Sequence, residues 1–498
     1  MKALRRAPWW LWLLAVAFVA AAFGVAEARP GGGHSYSGGS SSSGGGGGDG
    51  AGALVYLLIR LIIVWPEVGI PIAIVVVIGV VVAKRNNDGL GDWDSGESIA
   101  SHVRQPRLDD VRRIDPEFSE VLFSDFAYAL YARAHQARVH PNAMASCAPY
   151  LSAGVRASLM QRAPQGQPVH GVIIGAMRPV VVHIPHQSTD DEGNPNHVQI
   201  TLHFESNMTV GPPDAWHTYY VHERWTFNRL ATTHSRGPAK ARSLDCPNCD
   251  AAFESPDDAT CAYCGEIVND GRFDWVVNSL MLMHQEQRPP MLTGHAQERG
   301  TQLATVWHGE VEQALAGLQA SDPAVTVDGI GARLALVYHE LNAAWGALDL
   351  ARARPYVSDG IYNYLGYWIS AYRQQGLVNK LDNAKITRWV IAKVIVDKHY
   401  AAVTVRVWGT GNDYTMEQAS GKVVGGSRGK LREYTEYWTL IRGAEVKGAP
   451  RSDKQCPNCA AELNISMAGT CEYCNAHITS GEFDWVLSKI EQDEAYTG

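Results

Sequence analysis

The feature that most constrains the fold is a pair of four-cysteine clusters with identical internal spacing. Each cluster holds two Cys-x-x-Cys pairs with eleven intervening residues, and the second cluster lies 456 − 246 = 210 positions after the first. The eight cysteines are Cys246, Cys249, Cys261, Cys264, Cys456, Cys459, Cys471 and Cys474. A period of this length exceeds that of solenoid repeats, so it indicates duplication of a whole domain.

Two Cys-x-x-Cys pairs at this spacing are typical of a tetrahedral Zn²⁺ site, because each pair supplies two thiolates. Disulfides are the alternative, since the chain begins with a secretory-type segment. A cytoplasmic location, which the basic residues after the apolar N-terminal run predict, is reducing and favours metal. We therefore predict two structural zinc ions, each with four protein ligands and no open position for catalysis.

The duplication extends beyond the cysteines on both sides. Residues 271–275 recur as 481–485, residues 223–229 recur as 436–442 with the shared motif Glu-x-Trp-Thr-x-x-Arg, and residues 149–154 recur as 355–360. The offset drifts from 210 to 213 and 206, as small loop insertions would produce. The chain therefore contains two copies of one unit.

Within each unit, helical periodicity precedes alternating strands. Apolar residues spaced for one helix face occur at 118–130 and 334–348. Strands are predicted at 171–184, 197–210 and 218–230, and again at 384–397, 400–409 and 432–442. Helices followed by a meander indicate an α+β layer, with the helices packed on one face of an antiparallel sheet.

The N-terminal part of the chain reads as a membrane attachment. We predict a signal peptide at 1–28, a Gly/Ser-rich tether at 29–52, a transmembrane segment at 53–83 and a linker at 84–114. An uncleaved signal anchor is the alternative to cleavage after Ala28. Lys84, Arg85 and further basic residues follow the apolar run, whereas the Gly/Ser stretch at 31–52 has no Lys or Arg, so the C-terminal domains are expected in the cytoplasm.

The remaining boundaries follow from the two copies. We predict a first α+β domain at 115–244, a zinc ribbon with a following helix at 245–285, and a linker with a helix at 286–321. A second α+β domain is predicted at 322–445, and a second ribbon with a C-terminal helix at 446–498. Polar loops at 188–196 and 412–429 differ between the copies, and divergent loops on one scaffold suggest different contacts.

This arrangement resembles the Tim44-like domain family, the bacterial relatives of the mitochondrial inner-membrane import-motor tether. The resemblance covers about 105–498 and is most specific at Glu436-Tyr-Trp-Thr and at Phe483-Asp-Trp485. It implies two tandem cone domains of the nuclear-transport-factor-two-like (NTF2-like) superfamily and a binding role at a bacterial inner membrane. The mitochondrial tether lacks the duplication and the zinc ribbons, so its partners cannot be carried over.

The motif glutamates Glu223 and Glu436 share a strand face with Trp and an apolar residue, where a carboxylate needs a partner. Arg178 and Arg388, at offset 210 on an earlier strand, are the expected partners in a buried ion pair. A general base in a cavity is the alternative, as in an enzyme or a small-ligand sensor. No second acid or phosphate loop accompanies these residues by spacing, so we favour a structural, non-enzymatic role.

Charge and the remaining reactive residues limit the partners. The net charge is −8, and no Lys or Arg lies between Cys456 and Trp485, so the charge disfavours nucleic-acid binding. A protein or a membrane lipid is the expected partner, and the oligomeric state stays open.

Cys147 is expected to be a buried hydrophobe. The histidines of the first unit are expected at exposed polar positions on different strand faces, at 183, 186, 197, 203, 217 and 222.

Overall fold

A computed structural model describes most of the chain after the N-terminal region. The described residues are 106–498 without 213–214, 242–243, 254–258, 289–291, 293–302, 452, 467–468, 494–495 and 497. The expected signal peptide, tether and transmembrane segment, with most of the 84–114 linker, lie outside the described residues. None of the described helices combines the length and the hydropathy needed to cross a membrane.

The first unit places three helices before a four-stranded sheet. Ser119 and Ser152 begin two of the helices, because each hydroxyl accepts a hydrogen bond at 3.4 Å from the amide three residues later. The elements are a 3₁₀ helix at Leu108–Arg113, α1 Glu120–Ala137, α2 Pro141–Ala145, α3 Ala153–Met160, β1 Val169–His183, β2 His197–Val210, β3 His217–Leu230, the short helix α4 Pro238–Ala241, and β4 Val276–Gln287.

The first sheet is an antiparallel meander in the order β1-β2-β3-β4, and α1 packs on one of its faces. Tyr131 of α1 stacks on Phe204 of β2, with ring centroids 4.3 Å apart, and lies 4.9 Å from Trp225 of β3. The alternating apolar residues of β2 are buried beneath the helix. The α+β layer expected from the sequence is confirmed.

The second unit repeats this order with longer helices and an added strand. The elements are α5 Val311–Ser321, α6 Val327–Ala347, 3₁₀ helices at Leu350–Arg352 and Arg354–Tyr356, α7 Asp359–Gln374, β5 Leu377–Val396, β6 Tyr400–Glu417, β7 Val423–Gly426, β8 Arg432–Gly443, a 3₁₀ helix at Ile478–Ser480, and β9 Val486–Gln492. The sheet runs β5-β6-β8-β9, and β7 pairs with β6 outside that path.

The position of the cysteine clusters corrects two expectations. Each cluster is an insertion between the last two strands of its sheet and does not follow a finished domain. The helices expected after the clusters, within 245–285 and 446–498, are wrong, because those residues form β4 and β9. Leu, Lys, Glu and Gln favour a helix locally, but pairing with the edges of β3 and β8 outweighs that preference.

A glycine in each copy closes the insertion back onto its sheet. Gly271 and Gly481 adopt positive φ of 84° and 80°, and their carbonyls accept hydrogen bonds from Leu230 N at 3.0 Å and Gly443 N at 2.8 Å. A Cβ at Gly271 would lie 3.3 Å from Arg229 Cα. Only glycine combines this conformation with such a close approach of two backbones.

The 412–429 segment is largely a hairpin. The strand β6 continues to Glu417, and β7 folds back on it with Tyr414 opposite Gly426. The expectation of a polar loop over this whole range is wrong, because Tyr414 and its neighbours also pair with the start of β5. In the first unit, residues 188–196 do form a connection between β1 and β2, as expected.

The start of α1 packs against the sheet of the second unit. Leu122 shares an apolar cluster with Tyr400 and Ile441. Glu120 lies 3.5 Å from the Lys393 ammonium, and the Arg112 guanidinium donates a hydrogen bond to the carbonyl of Val396 at 2.7 Å. The two copies are therefore in direct contact through both apolar and polar groups.

Candidate metal centres and buried carboxylates

The eight paired cysteines form two compact thiol clusters. Every one of them is a free thiol, whereas a disulfide would bring two sulfurs to about 2.05 Å. The Sγ···Sγ distances are 3.9 Å for Cys246 and Cys264, 3.7 Å for Cys249 and Cys261, 3.9 Å for Cys456 and Cys474, and 4.0 Å for Cys459 and Cys471. Four sulfurs around Zn²⁺ with bonds of ~2.3 Å would be separated by about 3.8 Å, so both clusters fit a tetrahedral zinc ion.

The backbone of every Cys-x-x-Cys pair turns in the same way. The residue after the second cysteine adopts a left-handed conformation, with φ of 59° at Asp250, 75° at Gly265, 59° at Ala460 and 58° at Asn475. The amide of that residue donates to the carbonyl of the first cysteine, at 2.8–2.9 Å in all four turns. The same backbone turn therefore positions the two thiols of each pair in all four cases.

The electrostatic setting favours thiolates at the rim of each cluster. Asn458 of the Cys-Pro-Asn-Cys pair donates from Nδ2 to Cys474 Sγ at 3.3 Å and lowers the pKa of that thiol to about 6. Its counterpart Asn248 lowers the pKa of Cys264 to about 7. Burial instead raises the pKa of Cys246 to about 12. A metal ion would have to displace that proton, since thiolate is the ligand form.

The duplicated Pro-Tyr element fastens the cysteine clusters to the sheets. Tyr150 donates its hydroxyl proton to the carbonyl of Asp245 at 2.7 Å, directly before the first cysteine. In the second unit Arg333 donates to the carbonyls of Trp485 and Arg451, and its guanidinium lies 5.2 Å from the Tyr356 ring centroid. The two units therefore hold their clusters with the same aromatic position but different donors.

Glu223 lies at the centre of a buried polar group between α1 and the first sheet. Its carboxylate accepts hydrogen bonds from Trp225 Nε1 and His135 Nε2, both at 2.9 Å, and lies 2.8 Å from the Arg162 guanidinium. Burial raises the pKa of Glu223, but the contacts with His135, Arg162 and Trp225 outweigh it and hold the pKa at about 2. Burial also lowers the pKa of His135, so a neutral imidazole donates to an ionised carboxylate.

Glu436 repeats the first of these contacts. Its carboxylate accepts hydrogen bonds from Trp438 Nε1 at 2.9 Å and from Gln492 Nε2 at 3.3 Å. In both copies the motif glutamate therefore binds the indole of its own motif tryptophan, two residues along the strand. This contact was not foreseen, although the repeated Glu-x-Trp spacing places the two side chains on one face.

The arginines expected beside these glutamates lie on the opposite face of each sheet. Arg178 is opposite His203 in the strand register and lies 3.3 Å from Glu205. Arg388 is opposite Trp408, with its guanidinium 4.5 Å from that ring. The expected pairs of Glu223 with Arg178 and of Glu436 with Arg388 are wrong, because a shift of one residue in register reverses the face.

A second buried network explains the arginine of the shared motif. Arg229 pairs with Asp115 at 2.7 Å, and Arg442 pairs with Asp322 at 2.9 Å. Each guanidinium also lies over the tryptophan of the Gly-x-Phe-Asp-Trp repeat, at 4.4 Å and 4.8 Å. Sequence reasoning missed the two aspartates, although both stand in an Asp-Pro dipeptide at an offset of 322 − 115 = 207.

The motif threonines complete a structural account of Glu-x-Trp-Thr-x-x-Arg. Thr226 and Thr439 each share a hydrogen bond with a threonine on the neighbouring strand, at 3.0 Å and 2.9 Å. Every polar residue of the motif is therefore bound to another part of its own unit.

Cys147 is buried, as expected, and burial raises the pKa of its thiol.

A family model for the Tim44-like domain matches residues 311–451. This segment is therefore similar to the Tim44-like domain family. The match runs from α5 through β8 and ends before the second cysteine cluster. It confirms for the second unit the resemblance drawn from the sequence, while the duplication and the cysteine clusters are additions to the Tim44-like domain.

The chain has a distant solved neighbour, described as an "Ntf2 like protein involved in plasmid conjugation". The identity is 9%, the alignment covers 74% of this chain and 94% of that chain, and the TM-score is 0.18. A TM-score this low does not establish a shared fold, so the layering of each unit is inferred from its own helices and strands. No curated protein matches the chain.

Proposed function

We propose that the protein is a membrane-anchored, non-enzymatic binding platform. The segment at 53–83 would hold the Tim44-like domain, its duplicate and two zinc-bound clusters at the cytoplasmic face of a bacterial inner membrane. The family match supports a binding role, and the apolar N-terminal run followed by basic residues supports the anchor and its orientation. The eight paired cysteines would hold the two zinc ions, whose role is structural.

One observation carries the binding role: both cysteine clusters present a tyrosine to solvent at the same position. Tyr263 is 71% exposed and Tyr473 is 59% exposed, each directly before the last cysteine of its cluster. An exposed aromatic ring on a rigid metal-bound turn loses little conformational entropy on binding, and tyrosine is enriched in protein interfaces. Both copies have a tyrosine at this position, although neither ring is buried in the core of its unit.

The charge around the tyrosines favours a protein partner over a lipid. Residues 456–485 contain no Lys or Arg, and Arg272 is the only basic residue at 245–275. Such acidic surfaces are repelled by the anionic lipids of the cytoplasmic leaflet. The proposed partner is therefore a protein whose contact surface carries basic and apolar groups.

Two linked copies can raise the avidity of the platform for its partner. Once one unit holds the partner, contact by the other unit is intramolecular, and avidity can exceed a single affinity by a factor of ~10² or more. The 188–196 connection and the β6–β7 hairpin differ between the copies. These differences favour one asymmetric partner or two related partners.

The buried glutamates support a non-enzymatic role over the alternative of a cavity-bearing enzyme or ligand sensor. Glu223 is fully buried, and both motif carboxylates accept hydrogen bonds from their own tryptophans. A general base must instead reach the proton of a substrate. Turnover of a small molecule that disappears in Glu436→Gln, with the fold preserved, would establish the enzyme instead.

The test is site-specific photo-crosslinking in cells. A photoreactive amino acid would replace Tyr263 or Tyr473 in the full chain, and a matched control would replace Leu431, which is 57% exposed outside the clusters. We expect the same protein adduct from both tyrosine positions and not from Leu431. Adducts that do not differ between the three positions contradict the proposal.

The corresponding alanine variants separate binding from folding. Tyr263→Ala and Tyr473→Ala should change the free energy of unfolding by less than about 0.5 kcal/mol, because both rings are exposed. Zinc content should be unchanged. Each alanine variant should also weaken crosslinking from the photoreactive residue in the other unit, while its stability stays normal. This result is expected of a bivalent platform.

A further inference from the structure

A group of metal-binding side chains lies on the outer face of the first sheet, away from α1. His203 and Glu205 are two residues apart on β2, and His222 is opposite Glu205 on β3. His203 Nε2 lies 3.3 Å from His222 Nδ1 and 4.0 Å from Glu205 Oε1. The three side chains each offer a ligand atom, and these atoms all lie within 4.8 Å of one another. The histidines were expected at exposed polar positions on different strand faces, but the register brings His203 and His222 together on one face beside a carboxylate.

We propose that His203, Glu205 and His222 bind a divalent transition-metal cation such as Zn²⁺. Two ligand atoms bonded to one ion at ~2.1 Å lie about 3.0 Å apart in an octahedral site and about 3.4 Å apart in a tetrahedral site. The 3.3 Å and 4.0 Å separations require only small side-chain rotations to reach those values. Two imidazoles and one carboxylate form a recurring ligand set for such ions and leave positions for water or a further ligand.

The surroundings of the group hold the carboxylate in position. Tyr220 donates its hydroxyl proton to Glu205 Oε2 at 3.3 Å, and Arg178 lies 3.3 Å from Glu205 Oε1. Contacts of this kind from outside the ligand set orient a ligating carboxylate. The positive charge of Arg178 weakens attraction for a cation. We therefore expect this site to bind Zn²⁺ more weakly than the four-cysteine clusters.

The second unit shows that the fold itself does not require this group. Phe204 is opposite Glu223, and Val407 is opposite Glu436, so the register aligns the two sheets residue by residue. His203, Glu205 and His222 then correspond to Arg406, Trp408 and Thr435.

The replacements in the second unit form a different arrangement. Arg406 pairs with Asp493 at 2.6 Å, and its guanidinium lies 4.5 Å from the Trp408 ring. An ion pair and an aromatic ring thus occupy the positions of the three ligands. The metal-binding set is particular to the first unit.

The experiment counts metal ions on the full-length protein in detergent, titrated with Zn²⁺ alone after removal of weakly bound metal. We expect the wild type to bind three zinc ions per chain, two in the cysteine clusters and one here. His203→Ala and His222→Ala should each bind two. The control His197→Ala, at the exposed start of the same strand, should still bind three.

Cobalt distinguishes the sites by their ligands. Co²⁺ in the cysteine clusters gives intense sulfur-to-metal charge-transfer absorption, whereas a nitrogen and oxygen site gives only weak ligand-field bands. The third equivalent should add only the weak bands, and these should vanish in Glu205→Ala while circular dichroism shows an unchanged fold. Saturation of the wild type at two ions, or three ions bound by the His203→Ala/His222→Ala double variant, overturns the proposal.

Discussion

The two units keep the same buried charges but surround them differently. In both, the motif arginine pairs with the aspartate of an Asp-Pro dipeptide, and the motif glutamate accepts a hydrogen bond from the motif tryptophan. Glu223 also contacts a histidine, His135. Tyr131 and Tyr338 both pack on the motif tryptophan of their own unit, so His135 corresponds to Asn342, four residues further along each helix. The Asn342 side chain donates a hydrogen bond to the carbonyl of Tyr338.

This difference teaches which residues the fold needs. We interpret a contact that is present in both copies as one that the layered sheet and the cysteine insertion require. A contact found in one copy, such as the histidine and carboxylate group on the outer face of the first sheet, is where the copies have become distinct. Substitutions of the cysteines, of the motif arginines and of Glu223 test that division, and we expect the largest effect at the cysteines.

Cysteine substitution should affect both units severely and equally. Cys246→Ser and Cys456→Ser should each remove one tightly bound zinc ion and cost at least ~4 kcal/mol in the free energy of unfolding, because a structural zinc ion contributes on the order of 10 kcal/mol. Metal analysis and denaturant unfolding measure both effects. Cys147→Ser, which removes a thiol outside the clusters, is the control for zinc content. A strong effect in one unit alone would show that the two clusters are not equivalent.

The buried arginines should also be equivalent. Arg229→Met and Arg442→Met each leave a buried aspartate without its cation, which costs roughly 3–5 kcal/mol. Arg224→Met, at an exposed position of the same strand as Arg229, should stay within about 0.5 kcal/mol of wild type. Urea unfolding curves compare the three variants. If Arg442→Met matched Arg224→Met instead, the shared network would not be a requirement of the fold.

Glu223 should show the pH dependence of a buried anion. Its pKa in the folded protein is lowered to about 2 from an ordinary value of 4.5, so its contribution to stability is complete above about pH 4.5 and declines as the pH falls toward 2. Glu223→Gln should cost about 2–3 kcal/mol at pH 7, since Arg162 loses its counter-charge. The gap between wild type and variant should narrow at pH 3. A gap that stays constant from pH 7 to pH 3 would contradict an ionised Glu223.

The sequence predicts the layers and the cysteine clusters better than the connections between them. Alternation along β2 and the repeated Cys-x-x-Cys spacing are local signals, and both are confirmed. The strands β4 and β9 were missed because their residues favour helix and form strands only by pairing with a distant edge. No local pattern reports such a pairing.

The candidate sites show the same limit. The partners of Glu223 come from helix α1 and from Arg162, and neither lies at a spacing that the strand pattern reveals. Arg178 was expected beside Glu223 from its offset alone, but offset carries no information on the face of a strand. The Asp-Pro dipeptides were a usable signal, since they repeat with the rest of the unit.

The insertion of each cysteine cluster before the final strand has a consequence for newly made chains. The strand β4 or β9 leaves the cluster directly and is the only described strand that covers the outer edge of β3 or β8. If the clusters bind zinc as proposed, a chain made without zinc would keep a disordered insertion and the strand after it would lose its anchor. We then expect β3 and β8 to remain as open edges. Unpaired strand edges promote aggregation, and an incompletely folded chain is open to proteolysis. Zinc supply would therefore act as quality control on this protein, since chains made without it would be removed before they reach a partner.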